Sequence, residues 1–111
     1  MGASPGYGER MIVAVVNFAL PAPLSTDEAR AMFEASAPNY QNVDGLRRKH
    51  FLLADDGRTA GGVYLWDSRE QAEKLYDDAW RARLAARYGS EPEVTYYDSQ
   101  VTVDSSSIIV G

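Results

Sequence analysis

Cysteine is absent from all 111 residues. That removes disulfides, thiol catalysis, zinc–thiolate sites and iron–sulfur clusters together. It fits a reducing compartment, so the cytoplasm is the expected location. Histidine occurs once, at His50. One imidazole cannot build a multi-histidine metal site, and neither an EF-hand loop nor a His–Glu metal spacing is present, so no metal is expected. Basic residues are in deficit: eleven Lys and Arg against sixteen acids leave a net charge of −5. Nucleic-acid binders normally carry a basic face, so none is expected as a partner. The one basic run, Arg47-Arg48-Lys49, reads most simply as a solvated strand edge or a salt-bridged face. Long hydrophobic runs are also missing. None approaches the roughly 20 residues that span a bilayer, so no membrane partner is expected. The N-terminus lacks a charged stretch leading into an apolar one, so no signal peptide is expected.

What remains is ordinary globular material, 45% hydrophobic and 24% charged, of a length that supports one domain with its own core. Met1 to Arg10, "MGASPGYGER", is Gly-, Pro- and Ser-rich and reads as a flexible leader. "MIVAVVNFAL", Met11 to Leu20, reads as a strand buried on both faces. The "PAP" at Pro21 to Pro23 ends it, because proline donates nothing to a ladder. Ser25 and Glu28 have the spacing of a capping box. Ala29, Met32, Phe33 and Ser36 then mark one helix face, and Pro38 closes that helix. "VDGL" (Val43 to Leu46) is a turn and Arg47 to Ala54 a second strand. Asp56-Gly57 signals a hairpin, since glycine accepts the positive φ of a tight turn, and Gly61 to Trp66 is the third strand. Ser68 and Gln71 open a second helix whose buried face is Ala72, Leu75, Tyr76 and Ala79, continued by Trp80, Leu84 and Tyr88. Asp77-Asp78 is a place for this helix to break, and Gly89 a place for it to stop. Glu93 to Val103 is the fourth strand, followed by the tail "DSSSIIVG".

The order β-α-β-β-α-β predicts an α+β, ferredoxin-like domain over residues 11–104: a four-stranded antiparallel sheet with helices on one face. Apolar residues on both sides of the first and fourth strands imply that the other face is covered as well. A second copy packed sheet to sheet would do this, giving a homodimer. Residues 105–111 would be a strand added to that partner, or else a frayed apolar tail.

"NYQNVDGLRRKHFLLADDGRTAGGVYLWDSREQAEKLY", Asn39 to Tyr76, resembles the mono-oxygenases of the YdhR type, within the dimeric α/β-barrel superfamily that includes the antibiotic-biosynthesis mono-oxygenases. The resemblance runs from Met11 to about Asp104. Its most specific parts are V-x-G-L-x-x-K at Val43 to Lys49, "DGRTAGGVYLW" at Asp56 to Trp66, and W-R-A-R with the Tyr88-Gly89 pair that follows. Proline is common in that family where this chain has Asp44, a departure that bears on the turn. The resemblance implies a dimeric α/β barrel with a cleft between each sheet and its helices. It also implies oxygenation of a small aromatic or polycyclic phenol or quinol with O2, using no cofactor: neither metal, flavin nor haem. Fold alone does not fix function. The alternative is a non-enzymatic dimer that binds a small apolar ligand or serves as a scaffold. Haem degradation, found elsewhere in the superfamily, would need a histidine on the second helix, and Ser68 to Gly89 has none.

Cofactor-free oxygenation defines the groups to look for. The substrate must lose a proton before it is electron-rich enough to meet O2, and His50 is the imidazole on offer as base. The resulting anion needs a cation or hydrogen-bond donors, for which Arg48, Arg47, Asn17 and Tyr40 are the candidates. Flat apolar walls should hold the substrate rings, and Tyr64, Trp66, Tyr40, Phe33, Tyr76 and Trp80 can supply them. Each also has a plain structural reading: a half-exposed strand histidine, a polar strand residue with a water partner, aromatic core. Pairing arithmetic bears on the choice. If Asp56-Gly57 closes a two-residue turn, residue i pairs with 113 − i. His50 then opposes Val63, Arg47 opposes Trp66, and His50 points away from Tyr64 and Trp66. A bulge at Gly61-Gly62 would return it to their face.

Overall fold

The structure is a computed structural model and describes residues 11–110. Its elements are β1 (Met11–Ala19), α1 (Thr26–Ser36), a 3-10 turn (Ala37–Tyr40), β2 (Leu46–Leu53), β3 (Thr59–Trp66), α2 (Arg69–Leu75), α3 (Asp78–Tyr88), β4 (Glu93–Ser99), β5 (Val101–Val103) and β6 (Ile108–Val110). The leader expected at 1–10 lies outside the described residues. Strands β1 to β4 form one antiparallel sheet in the order β2-β3-β1-β4. The helices cover one face, as the ferredoxin-like plan requires.

Each boundary has a local cause. Ser25 caps α1 with a full capping box: its hydroxyl accepts from the Glu28 N–H, and the Glu28 carboxylate accepts from the Ser25 N–H. Pro38 does not stop the chain outright. It sits in the 3-10 turn that carries Asn39 and Tyr40 on beyond α1. The second helix breaks at Tyr76-Asp77, and the Asp77 side chain caps the new start by accepting from the Trp80 N–H at 2.8 Å. The break changes the helical phase. Ala72 and Tyr76 are buried, but Ala79, expected on the same face, is exposed. Gly89 ends α3 in the left-handed conformation, φ 88°.

The alternation of β1 puts Ala14, Val16 and Phe18 into the core beneath the helices. Val13 and Val15 point the other way and are half-buried, and Asn17 and Ala19 are exposed there. The expectation of a strand buried on both faces is therefore met on the helix side only, because nothing among the described residues covers the other. The fourth strand is also shorter than expected. It breaks at Gln100 into β4 and β5. The tail strand β6 pairs antiparallel with β5 of its own chain, Thr102 opposite Ile109. Val101, Val103, Ile108 and Val110 are exposed on this ribbon. No helix among the described residues is long and apolar enough to cross a membrane.

Candidate functional site

The β2–β3 hairpin decides which side chains meet. Its turn spans Asp55 to Arg58 rather than two residues, with the Gly57 N–H on the Ala54 carbonyl at 2.8 Å and Gly57 at φ 73°. Four residues centred on the same point keep the same sum of paired numbers. Leu53 opposes Ala60, His50 opposes Val63, Lys49 opposes Tyr64 and Arg48 opposes Leu65. The bulge falls at Arg47 rather than at Gly61-Gly62, so Leu46, not Arg47, opposes Trp66.

Three residues follow from this register onto the open face of the sheet, away from the helices. Arg48 and His50 are exposed there on β2, and Asn17 is exposed there on β1. They do not converge with the aromatic candidates. Arg47, freed by the bulge, turns to Asp67, Nε to Oδ1 at 2.6 Å.

The helix face carries a cleft between the sheet, α1, the 3-10 turn and α3. Its empty volume, open mouth included, is about 500 Å3, of which about 50 Å3 is room for the centres of water molecules. Phe18, Phe33, Tyr40, Phe51, Tyr64 and Tyr88 form its walls, with Ser36, Asn39, Lys49, Arg83 and Arg87 as its polar groups. Of the predicted binding residues, Phe33, Tyr40 and Tyr64 line it. Trp66, Tyr76 and Trp80 stand behind as a second layer, each 5% exposed or less.

The two layers are joined by rings and hydrogen bonds. Tyr64 stacks nearly parallel to Trp66, centroids 6.3 Å apart, and meets Tyr76 edge-on at 5.3 Å. Tyr76 lies 4.7 Å from Trp80. The Trp66 indole N–H donates to the Tyr76 hydroxyl at 3.0 Å, and the Trp80 indole N–H donates to the Tyr40 hydroxyl at 3.0 Å. The second bond fixes Tyr40 at the cleft wall from a fully buried anchor. Burial pushes the Tyr64 and Tyr76 phenols far above their usual value, and neighbouring tyrosines add to this for Tyr64, so both stay neutral.

Lys49 was not among the expected site residues. Its Nζ lies 3.4 Å from the centroid of Tyr40, 3.7 Å from Phe51 and 4.5 Å from Tyr64. No carboxylate among the described residues pairs with it. Burial pushes its pKa down from 10.5 to about 7, while three ring faces pull the other way by favouring the cation. Gly62 makes the room. A Cβ there would meet the Lys49 Cε at 3.3 Å and the His50 carbonyl oxygen at 2.7 Å. The signal for Lys49 was in the sequence, since 113 − 49 puts it opposite Tyr64. The basic run around it pointed instead to a solvated edge. Arg83 is exposed and lines the cleft mouth.

The ferredoxin-like sheet with helices on one face is a fold shared with solved oxygenases. Among solved structures the fold is similar to a monooxygenase from the gene ActVA-Orf6 of Streptomyces coelicolor in complex with the ligand nanaomycin D. That match is 16% identical, covers 87% of this chain and 94% of that one, and has a TM-score of 0.66. It is similar to SnoaB, a cofactor-independent oxygenase from Streptomyces nogalater, at 15% identity, 86% and 98% coverage and TM-score 0.63. It is also similar to a "Putative antibiotic biosynthesis monooxygenase from Nitrosomonas europaea", at 21% identity, 80% and 89% coverage and TM-score 0.58. At these identities the likeness is one of fold. No curated protein matches the sequence. The family model described as "Putative mono-oxygenase ydhR" matches residues 13–108. The chain belongs to that family.

Proposed function

We propose that the protein is a cofactor-independent mono-oxygenase of a small aromatic phenol or quinol. The observation that carries this is the cleft itself: six aromatic walls around a lysine with no carboxylate partner among the described residues. Flat walls suit a fused or single aromatic ring, and Ser36, Asn39, Arg83 and Arg87 supply polar groups for its oxygens. The reaction consumes one O2 per substrate. One oxygen atom enters a ring carbon as a carbonyl, and the other leaves as water with the hydrogen that carbon carried and the hydrogen of the phenol O–H. The membership of a mono-oxygenase family and the fold shared with SnoaB support this class of chemistry. The roles the sequence suggested for His50, Arg48 and Asn17 are harder to serve from the open sheet face, and the base is sought inside the cleft.

The same reading includes a homodimer. Val13, Val15, Val63 and Leu65 are only half-buried on the open face, and Leu52 and Tyr97 are 44% and 55% exposed beside them. A second copy packed there would cover them and place His50 and Asn17 in the seam between sheets. The β5–β6 ribbon offers the partner a further apolar strip. A monomeric mass by light scattering at micromolar concentration refutes the dimer. Oxygen uptake with anthrone-like and naphthol-like substrates tests the activity. Tight binding of such ligands with no oxygen consumed across the panel replaces the enzyme with a ligand-binding protein.

A further inference from the structure

We propose that the ε-amino group of Lys49 accepts the proton of the bound phenol and then holds the phenolate as its counter-ion, within a box made by Tyr40, Phe51 and Tyr64. This deepens the mono-oxygenase reading and rests on it for the oxygenation step alone.

The argument begins with position. Lys49 reaches into the cleft from a central residue of β2, and the missing side chain at Gly62 gives its stem a channel across the sheet. Ring faces attract a cation to within about 6 Å, and three of them surround this Nζ at 4.5 Å or less. They accept no hydrogen bond of ordinary strength and cannot take its proton. The groups that share the cleft leave its charge unneutralised. Tyr40 on the 3-10 turn and Tyr64 on β3 face it directly, and Arg83, Arg87 and Tyr88 come from α3. Phe33 and Ser36 from α1 carry no charge, while Arg48 and His50, its neighbours on β2, point to the other face. Tyr64 remains neutral. An anionic oxygen entering the cleft is therefore the first negative charge Lys49 meets among the described residues.

Two opposed effects set its proton affinity. Burial disfavours the ammonium and the rings favour it, so the amine can change state near neutral pH, where a general base is most effective. In the step itself the phenol O–H bond breaks and an N–H bond forms on Lys49. The electron pair of the broken bond stays on the substrate oxygen and enriches the ring for O2. After O2 has added, the same ammonium returns its proton to the peroxide oxygen.

The test uses 2-naphthol as probe, and its first readout needs no turnover. Bound to the wild type well below its own pKa, 2-naphthol should show the absorption band of the naphtholate. An opposite charge at contact distance lowers such a pKa by about 1 to 3 units. Lys49→Met, similar in length and unbranched, should bind the neutral form and lose the band. Lys49→Arg should keep it, since a permanent cation can hold the phenolate, but should lower kcat/KM for oxygen uptake by about a hundredfold, because arginine takes no proton. A wild type without the naphtholate band overturns the proposal, as does an undiminished band in Lys49→Met. Naphtholate formation without oxygen uptake on any substrate leaves the role of Lys49 standing and removes the mono-oxygenase reading. Oxygen uptake unchanged in both variants does the reverse.

Discussion

Replacing Tyr76 with phenylalanine removes one oxygen atom from the centre of the aromatic core. That hydroxyl accepts the Trp66 indole N–H at 3.0 Å, and Trp66 is 0% exposed. The ring itself should stay, held by Tyr64 at 5.3 Å, Trp66 at 5.8 Å and Trp80 at 4.7 Å. The substitution therefore isolates a buried donor left without an acceptor, a loss of about 1–3 kcal/mol. For a domain of this size 1 kcal/mol moves the melting temperature by about 4–8 °C. The control is Tyr40→Phe. It orphans the Trp80 indole N–H in the same way, but this bond lies at the half-exposed cleft wall, where water can replace the lost acceptor.

Urea unfolding of the three proteins gives the comparison. The m-values should agree, since the exposed surface hardly changes, and the midpoints should fall in the order wild type, Tyr40→Phe, Tyr76→Phe. Tyr40→Phe should cost less than about 1 kcal/mol, in the range of an ordinary hydrogen bond. Equal midpoints for Tyr76→Phe and wild type would refute the reasoning, because they would mean that water already reaches the indole behind Tyr64. The second layer of the cleft would then be wet.

Three further outcomes are expected. In alkaline absorbance titration Tyr64 and Tyr76 should stay protonated until the chain unfolds; stability should fall as pH passes about 10, because the unfolded chain ionises where the folded one does not, and full tyrosine ionisation in a still-folded protein refutes this. The folded pKa of Lys49 lies below its unfolded value, so the unfolded chain holds the extra proton between about 7 and 10.5, and stability should rise with pH across that window; Lys49→Met should flatten a slope of at most about 1.4 kcal/mol per pH unit, and identical slopes would be contrary evidence. Gly61→Ala should leave little folded protein by circular dichroism, since its Cβ would fall 1.8 Å from the Val16 carbonyl oxygen and force β1 from β3, whereas Gly62→Ala, its Cβ 2.7 Å from the His50 carbonyl oxygen, should destabilise the fold less and weaken ligand binding by crowding Lys49.

The sequence made the fold legible because each element carries its own punctuation. The Ser25–Glu28 box, the aspartates at 77 and 78, the glycine at 89 and the turn at Asp56-Gly57 are local chemical signals, and the structure uses every one. What local signals missed depends on contacts far along the chain. The phase change at Tyr76-Asp77 exposes Ala79, and the break at Gln100 lets β6 fold back on β5. A leucine or valine on the open sheet face reads the same whether a helix, a partner or nothing covers it. The apolar count of β1 thus overstated what the described residues bury.

The site was legible to the extent that the hairpin register was. Both a two-residue turn and the four-residue turn found here centre on the same bond, so pairing to a sum of 113 survives an error in turn length. The arithmetic separated His50 from Tyr64 correctly, and the same line of numbers placed Lys49 opposite Tyr64. Residue type then drew the choice to His50. A lone histidine draws attention as the side chain that titrates near neutrality, whereas a lysine beside two arginines reads as surface. A solvated lysine has no reason to titrate there. One whose Nζ is desolvated among three rings does, and that environment is built by Tyr40 from the 3-10 turn and by the empty space over Gly62. Neither adjoins Lys49 in the sequence. In this chain the amine that burial draws toward neutral pH is placed by the fold, and the histidine that composition singles out stands on the other side of the sheet.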